Sequence, residues 1–282
     1  MIQHILFPVD FSGPCAELGP AVRSWARQFG ARITMLHAFE GPGIYSLESL
    51  PLDLELKLLR ESGRRRVSDF LSGTFSGIQL ERIQIESPAA SAIVSYAQNN
   101  AVDLIMMPTL GYTRFRQLLL GSVTASVLHD SEVPVWTSAH LAQFTHSDAP
   151  RRILCAVDCG KQTESVLRMA VGVAHAFSVP LHVVHIRPQP SGFETGTSQM
   201  AHHFAERVAR EDYANAAAAV PGAPPLLIEQ APSLLTGIQQ AIEHHQADLL
   251  LIGRGKIQGV LGRLRTHAHD LIRASGCPVL SV

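Results

Sequence analysis

The chain carries its own template. Residues 4–10 read HILFPVD and residues 152–158 read RILCAVD, so that Ile5, Leu6, Val9 and Asp10 recur as Ile153, Leu154, Val157 and Asp158 at an offset of 148. FGARITMLH (29–37) is answered by FSVPLHVVH (177–185) at the same offset, and both end on a histidine, His37 and His185. VDLIMMP (102–108) matches ADLLLIG (247–253), and VPVW (133–136) matches CPVL (277–280), at offsets of 145 and 144. Preserved order with nearly preserved spacing is what a duplication leaves behind. The 282 residues therefore divide into two similar units, the number that about 150 residues per domain also suggests. The polar stretch AQFTHSDAPRR (142–152) lacks apolar periodicity and contains Pro150, which marks a linker. We expect domains over 1–141 and 151–282, joined by 142–150.

Each copy alternates short branched apolar runs with longer amphipathic stretches. Strands are predicted near 4–9, 32–38, 79–85, 103–107 and 133–137, then near 152–157, 181–186, 225–229, 248–252 and 278–282. Helices are predicted near 14–29, 52–72, 89–99 and 121–129, then near 162–177, 198–219, 233–246 and 266–275. Alternation of this kind demands crossover connections, and crossovers make parallel sheets. The unbroken apolar runs DLIMM and DLLLI read as strands covered on both faces. The expected fold is α/β: two tandem five-stranded parallel sheets, each with helices on both faces, Rossmann-like in layout.

Composition narrows the function classes. The 23 basic and 24 acidic residues leave a net charge of −1, which argues against binding nucleic acid through bulk positive charge. No apolar run reaches the ~20 residues of a membrane span, and the opening MIQHILFPVD does not read as a signal peptide. Cys15, Cys155, Cys159 and Cys277 form no disulfide framework, so a reducing cytoplasm is the expected compartment.

In an open parallel sheet, ligands bind at the carboxyl ends of strands where the strand order reverses. The first predicted strand of each copy ends at Asp10 and Asp158. A carboxylate there can accept hydrogen bonds from a ribose or a base amino group, or it can simply open the turn into a helix capped by Ser12. After the fourth strand comes MMPTLGYTRFRQLLLGSVT (106–124). Glycines let a backbone approach a phosphate, and a helix N-terminus holds the anion through free N–H groups and its dipole. Gly111, Gly121 and Ser122 have that character, and Arg114 and Arg116 could add charge.

These segments together resemble the universal stress protein family in tandem form. HILFPVDFS, ITMLHAFE, VDLIMMPT with Gly111 and Gly121-Ser122-Val123, and VPVW carry the likeness in the first copy; RILCAVD, LHVVHIRP, ADLLLIGRGK and CPVLSV carry it in the second. The resemblance implies a five-stranded parallel sheet of the adenine nucleotide alpha hydrolase type. It implies further that ATP-binding members carry G-x2-G-x9-G-[ST] after the fourth strand. In the first copy Pro108 stands at the first glycine, while Gly111, Gly121 and Ser122 fall at the remaining positions. By resemblance, Asp10 and Ala38 flank the adenosine, Met107 and Pro108 line base and ribose, and Gly111, Gly121, Ser122 and Val123 hold phosphates. Pro8 and Val9, leading into Asp10, and Thr124 complete the expected set, with Mg²⁺ accompanying the phosphates. In the second copy Gly253 keeps the first position, but Lys256 replaces the second and Arg265-Thr266 stand for Gly-Ser, so that half is expected to be degenerate for ATP. The closing strands are expected at sheet edges, where the halves would pair as a pseudo-dimer and two chains could form a homodimer.

Other features yield less. The adjacent pairs His202-His203 and His244-His245 diverge by about 100° around a helix and make poor chelates. Cys155 and Cys159 read as one buried and one loop cysteine. Arg64-Arg65-Arg66 reads as a solvated helix face. There is no G-x-S-x-G elbow and no GxxxxGK[ST] loop, so at most weak ATP hydrolysis is expected. The leading expectation is a cytoplasmic, nucleotide-responsive stress or signalling module. The alternatives are a scaffold with both sites vestigial, or an adenylate-using or electron-transfer enzyme on a related fold.

Overall fold

The structure is a computed structural model and describes residues 2–41, 52–109, 120–138, 148–188, 196–254 and 263–282. Two compact units have main spans Met1–Ser138 and Pro150–Val282. Most of the segment expected to link them lies outside the described residues.

In the first unit, β1 (His4–Pro8) is followed by α1 (Gly13–Phe29), β2 (Arg32–Phe39), α2 (Leu52–Asp69), β3 (Leu80–Glu86), α3 (Ala89–Asn99), β4 (Leu104–Met107), α4 (Ser122–Asp130) and β5 (Val135–Thr137). The strands run parallel in the order β3-β2-β1-β4-β5. Strand order reverses between β1 and β4. Every residue of β1 and β4 is buried, as a strand covered on both faces requires.

Side-chain alternation shows the two covers. Thr34 and Glu81 are register partners; Thr34 Oγ1 and the Tyr96 hydroxyl of α3 both donate to Glu81 Oε2, at 3.3 and 3.4 Å. One residue further along, Arg82 turns to the other face and donates from Nε and Nη2 to the Val67 and Phe70 carbonyls at the end of α2, at 2.9 and 3.2 Å. So α3 covers one face of β2 and β3, and α2 covers the other. Ser12 caps α1 by accepting from the Cys15 N–H at 3.4 Å, and Gly30 ends it at φ 63°, a left-handed position where glycine has no Cβ penalty. Cys15, Leu18, Val22, Trp25 and Ala26 fall on one side of α1 at helical spacing and face the sheet.

The second unit repeats this plan with β6 (Ile153–Ala156), α5 (Thr163–Phe177), β7 (Leu181–Pro188), α6 (Gly196–Ala218), β8 (Leu226–Ala231), α7 (Leu234–His245), β9 (Leu249–Ile252), α8 (Arg263–Ala274) and β10 (Val279–Ser281). Its strands are again parallel, in the order β10-β9-β6-β7-β8, the same topology read from the other end. In α7 the backbone of Gly237 passes so close to β7 and β8 that a Cβ would lie 2.4 Å from Ile186 Cγ2 and 2.8 Å from Ala231 Cβ. Ala231 has no flexible end to move aside. Gly237→Ala is expected to cost about 1–3 kcal/mol by overpacking, despite alanine's better helix propensity; a denaturant midpoint equal to or above wild type would contradict this contact.

The repeated aspartates of VDLIMMP and ADLLLIG act at the amino end of each sheet. Asp103 Oδ2 accepts the backbone N–H groups of Gln3 and His4 at 2.7 and 3.0 Å. Asp248 Oδ1 accepts those of Arg151 and Arg152 at 2.8 and 2.9 Å. Each carboxylate holds the start of its unit's central strand in register with the neighbouring one.

Candidate functional site

Of the expected site residues, Pro8, Val9, Asp10, Met107 and Pro108 lie at the β1/β4 reversal, Ala38 lies on the neighbouring β2, and Gly121 to Thr124 open α4. Because Ile5 and Leu6 pair with Leu104 and Ile105, the segments Val9-Asp10 and Pro108-Thr109 leave the sheet side by side. Asp10 Oδ1 accepts the Ser12 N–H at 2.9 Å, which bends the chain into α1, and Phe11 between them takes φ 63°. The turn-forming reading of Asp10 is therefore correct for one carboxylate oxygen.

His37, repeated in sequence but given no role there, proves to hold this turn. It lies on β2 beside Ala38, and its Nδ1 is 2.9 Å from the Val9 carbonyl, which it meets as an N–H donor. Burial, reinforced by the nearby Arg66 charge, pulls the His37 pKa below its ordinary value and favours the neutral ring. The second unit keeps the device: His185 Nδ1 lies 2.9 Å from the Val157 carbonyl, Asp158 Oδ1 accepts the Gly160 N–H at 2.9 Å, and Cys159 takes φ 58°.

Phe11 roofs the first-unit turn. Its ring centroid is 4.4 Å from that of His37 and 5.4 Å from that of Phe70, and the Arg66 guanidinium lies 4.3 Å from it, within cation–π range. The second unit has Cys159 in place of Phe11, so among the described residues this aromatic roof is seen in the first unit. The one signal in sequence is an aromatic next to Asp10 without a counterpart next to Asp158.

On the β4 side, Met107, Pro108 and Thr109 are buried. The Thr109 carbonyl accepts the Gly121 N–H at 2.9 Å, and the Pro108 carbonyl accepts the Thr124 hydroxyl at 3.0 Å. These two bonds staple the start of α4 to the end of β4, so the connection leaves and returns at one place. They also engage the Gly121 amide and the Thr124 hydroxyl; the backbone N–H groups of Ser122, Val123 and Thr124, which precede the first intrahelical bond from Ala125 to Gly121, are the first-turn donors that a helix cannot satisfy internally. Gly121 itself has φ −59°, an ordinary value, so its backbone conformation does not call for glycine. Gly111, Arg114 and Arg116 lie outside the described residues, as do Lys256 and its neighbouring glycines; of the Arg265 and Thr266 side chains nothing is described.

The thiols are not poised for chemistry. All four cysteines are free and buried. Burial, with the neighbouring Asp10 charge, pushes Cys15 up to about 12; burial alone does the same to Cys155. Cys155 is buried in β6 and Cys159 sits in the loop that follows, as the sequence suggests, and the loop residue is itself only 8% exposed. Among the described residues no group of three His, Cys, Asp or Glu side chains is placed to hold a metal ion, and no helix is long and apolar enough to cross a membrane. His182 and His245 stack at 4.4 Å between ring centroids, and His245 Nε2 lies 3.3 Å from Glu229 Oε1.

Comparison with known proteins agrees with this architecture. A universal stress protein from Archaeoglobus fulgidus, known from its crystal structure, superposes over 99% of this chain and 95% of its own with a TM-score of 0.66 at 20% sequence identity, a likeness of fold. The universal stress protein MJ0531 of Methanocaldococcus jannaschii is 26% identical over 140 residues, 48% of this chain and 81% of its own. The universal stress protein Slr1230 of Synechocystis is 42% identical over 62 residues, which is only 22% of each chain. The family model described as the universal stress protein family matches residues 1–138 and again 150–282. With one family unit on either side of the same boundary and the same strand order in each, the chain belongs to the universal stress protein family as a tandem protein.

Proposed function

We propose that the first unit binds an adenine nucleotide, ATP in the first instance, and that the second has lost this capacity. The observation that carries the reading is the stapling of the α4 N-terminus to the end of β4, directly beside Asp10. A carboxylate for the nucleoside and free N–H groups for the phosphates then stand at one strand-order reversal. Asp10, roofed by Phe11 and flanked by Ala38, faces the nucleoside, while Ser122 and Val123 donate to phosphate. Pro108 has no N–H, so the ligand gains no backbone bond at that position. Thr124 shapes the site by holding the Pro108 carbonyl. Mg²⁺ would be held chiefly by the phosphates. The protein would then act as a nucleotide-responsive module of the cytoplasm, and any pairing of its halves or of two chains belongs to the same proposal.

The test is a thermal titration of the full chain with ATP, ADP and AMP. A site filled at 100 times its dissociation constant adds about 2.7 kcal/mol of stability. Gly121→Val, which places a branched side chain where phosphate must approach, is expected to abolish the shift, and Arg265→Ala to leave it intact. Absence of a shift with all three nucleotides would favour the scaffold reading instead.

A further inference from the structure

We propose that the first unit has a second ligand site, an oxyanion pocket between α2 and the edge strand β3 that receives a phosphoryl group. This goes beyond the nucleotide reading and does not depend on it. A cavity of about 590 Å³ opens there. On β3, Arg82, Gln84 and Glu86 alternate onto the face that α2 covers. Facing them on α2 are Arg60 and Arg64, one helical turn apart. A sheet face beneath a helix is ordinarily apolar, and this one is lined by three guanidinium groups, one amide and one carboxylate.

The charges do not cancel. Arg60 is engaged by Glu86, with Nε and Nη2 at 3.2 and 2.7 Å from Oε2. Arg82 closes the end of α2 through the Val67 and Phe70 carbonyls, so among the described residues its guanidinium is bonded to backbone carbonyls and to no carboxylate. Arg64 makes no ion pair among the described residues. Three cations against one carboxylate leave the pocket two positive charges in excess. A phosphoryl group carries about −1.5 to −2 at pH 7, which matches that excess; a single carboxylate would neutralise half of it.

The hydrogen-bond inventory points the same way. Gln84 Nε2 is buried with no hydrogen-bond partner among the described residues, an unfavourable state for an amide donor. It is packed against α2, where a Cβ on Gly63 would lie 2.0 Å from that nitrogen. An oxyanion entering the cavity would accept from the open guanidinium of Arg64, whose planar fork suits phosphate geometry, and from Gln84 once its amide turns from Gly63 toward the cavity. The run Arg64-Arg65-Arg66 is exposed throughout, as a solvated helix face requires; within it Arg64 borders this cavity and Arg66 lies over Phe11.

Free phosphate and the phosphate end of an organic ester share this chemistry, so both are probed. The full chain in phosphate-free, low-salt buffer is titrated with inorganic phosphate and, separately, with phenyl phosphate, followed by calorimetry. Saturable binding is expected, weakened by about tenfold or more, near 1.4 kcal/mol, in Arg64→Gln, and unchanged in Gly121→Val. Tighter binding of phenyl phosphate identifies an ester as the ligand class, with Phe39 at the cavity wall; equal binding identifies free phosphate. No saturable binding of either probe up to about 10 mM, a limit of roughly 2.7 kcal/mol, overturns the proposal. So does binding that survives Arg64→Gln and disappears in Gly121→Val, which would place the anion at α4 instead.

Discussion

Replacing Trp25 by alanine is expected to remove about 3–5 kcal/mol of stability, more than truncation of any other buried side chain of α1. Trp25 is 1% exposed and heads the fully buried large side chains. It lies on the sheet-facing side of α1, packed with Phe29 at 5.9 Å between ring centroids. Its removal deletes transfer free energy and leaves a cavity that the close-packed sheet beneath cannot fill, because β1 and β4 are themselves buried on both faces. The measurement is the denaturant midpoint of the mutant, with far-UV circular dichroism to show that it folds. A loss below about 1 kcal/mol would mean that α1 is held chiefly by other contacts. Since α1 also carries the Ser12 cap and the turn at Asp10, a loosened α1 should weaken nucleotide binding in parallel.

The second large effect is expected from Asp103→Ala and Asp248→Ala. Each aspartate accepts two or more backbone N–H groups at the start of a central strand, at 2.7 to 3.0 Å. Hydrogen bonds to a charged acceptor contribute about 1.5–3 kcal/mol, and the alanine leaves the donors to find water. We expect each single substitution to cost about 1.5–3 kcal/mol. The double mutant should lose close to the sum, because the two groups share no partner and belong to different units. Asparagine at either position should recover part of the loss, since its carbonyl oxygen still accepts. A double mutant as stable as wild type would show that strand register is set by the apolar side chains alone.

The same aspartates show how far the sequence can be read. They are visible as a repeated residue at the head of an apolar run, yet their role is invisible there, because the groups they hold lie 99 and 96 or more positions away in the chain. The His37 and His185 rings are equally visible as a repeat and equally mute, since each acts on a carbonyl 28 residues back. By contrast, Ser12 is legible as a cap, because capping is completed within three residues. Strand ends shift where local chemistry intervenes: the fifth strand of the first unit begins at Val135 rather than near 133, after Pro134, which has no N–H to give a ladder.

Within the candidate site, proximity in sequence overstates what the residues share. The family resemblance implies Gly111, Gly121, Ser122 and Val123 as phosphate holders, with Thr124 next in the chain. The fold engages the Gly121 amide with Thr109 and the Thr124 hydroxyl with Pro108, while the backbone N–H groups of Ser122, Val123 and Thr124 stand in the first turn without an intrahelical acceptor. Phe11 and Arg66, from separate elements, meet at 4.3 Å and give no joint signal in the chain.

Alternating hydrophobic runs, the doubled motifs and the turn chemistry are local properties of a polypeptide, so the linear chain is enough to establish two parallel α/β units and the order of their strands and helices. Which oxygen of Asp10 is engaged, which amides of α4 stay open and that Arg64 and Gln84 border one cavity depend on how distant segments pack. Those contacts arise only when the apolar faces are buried together, and no spacing along the chain encodes them.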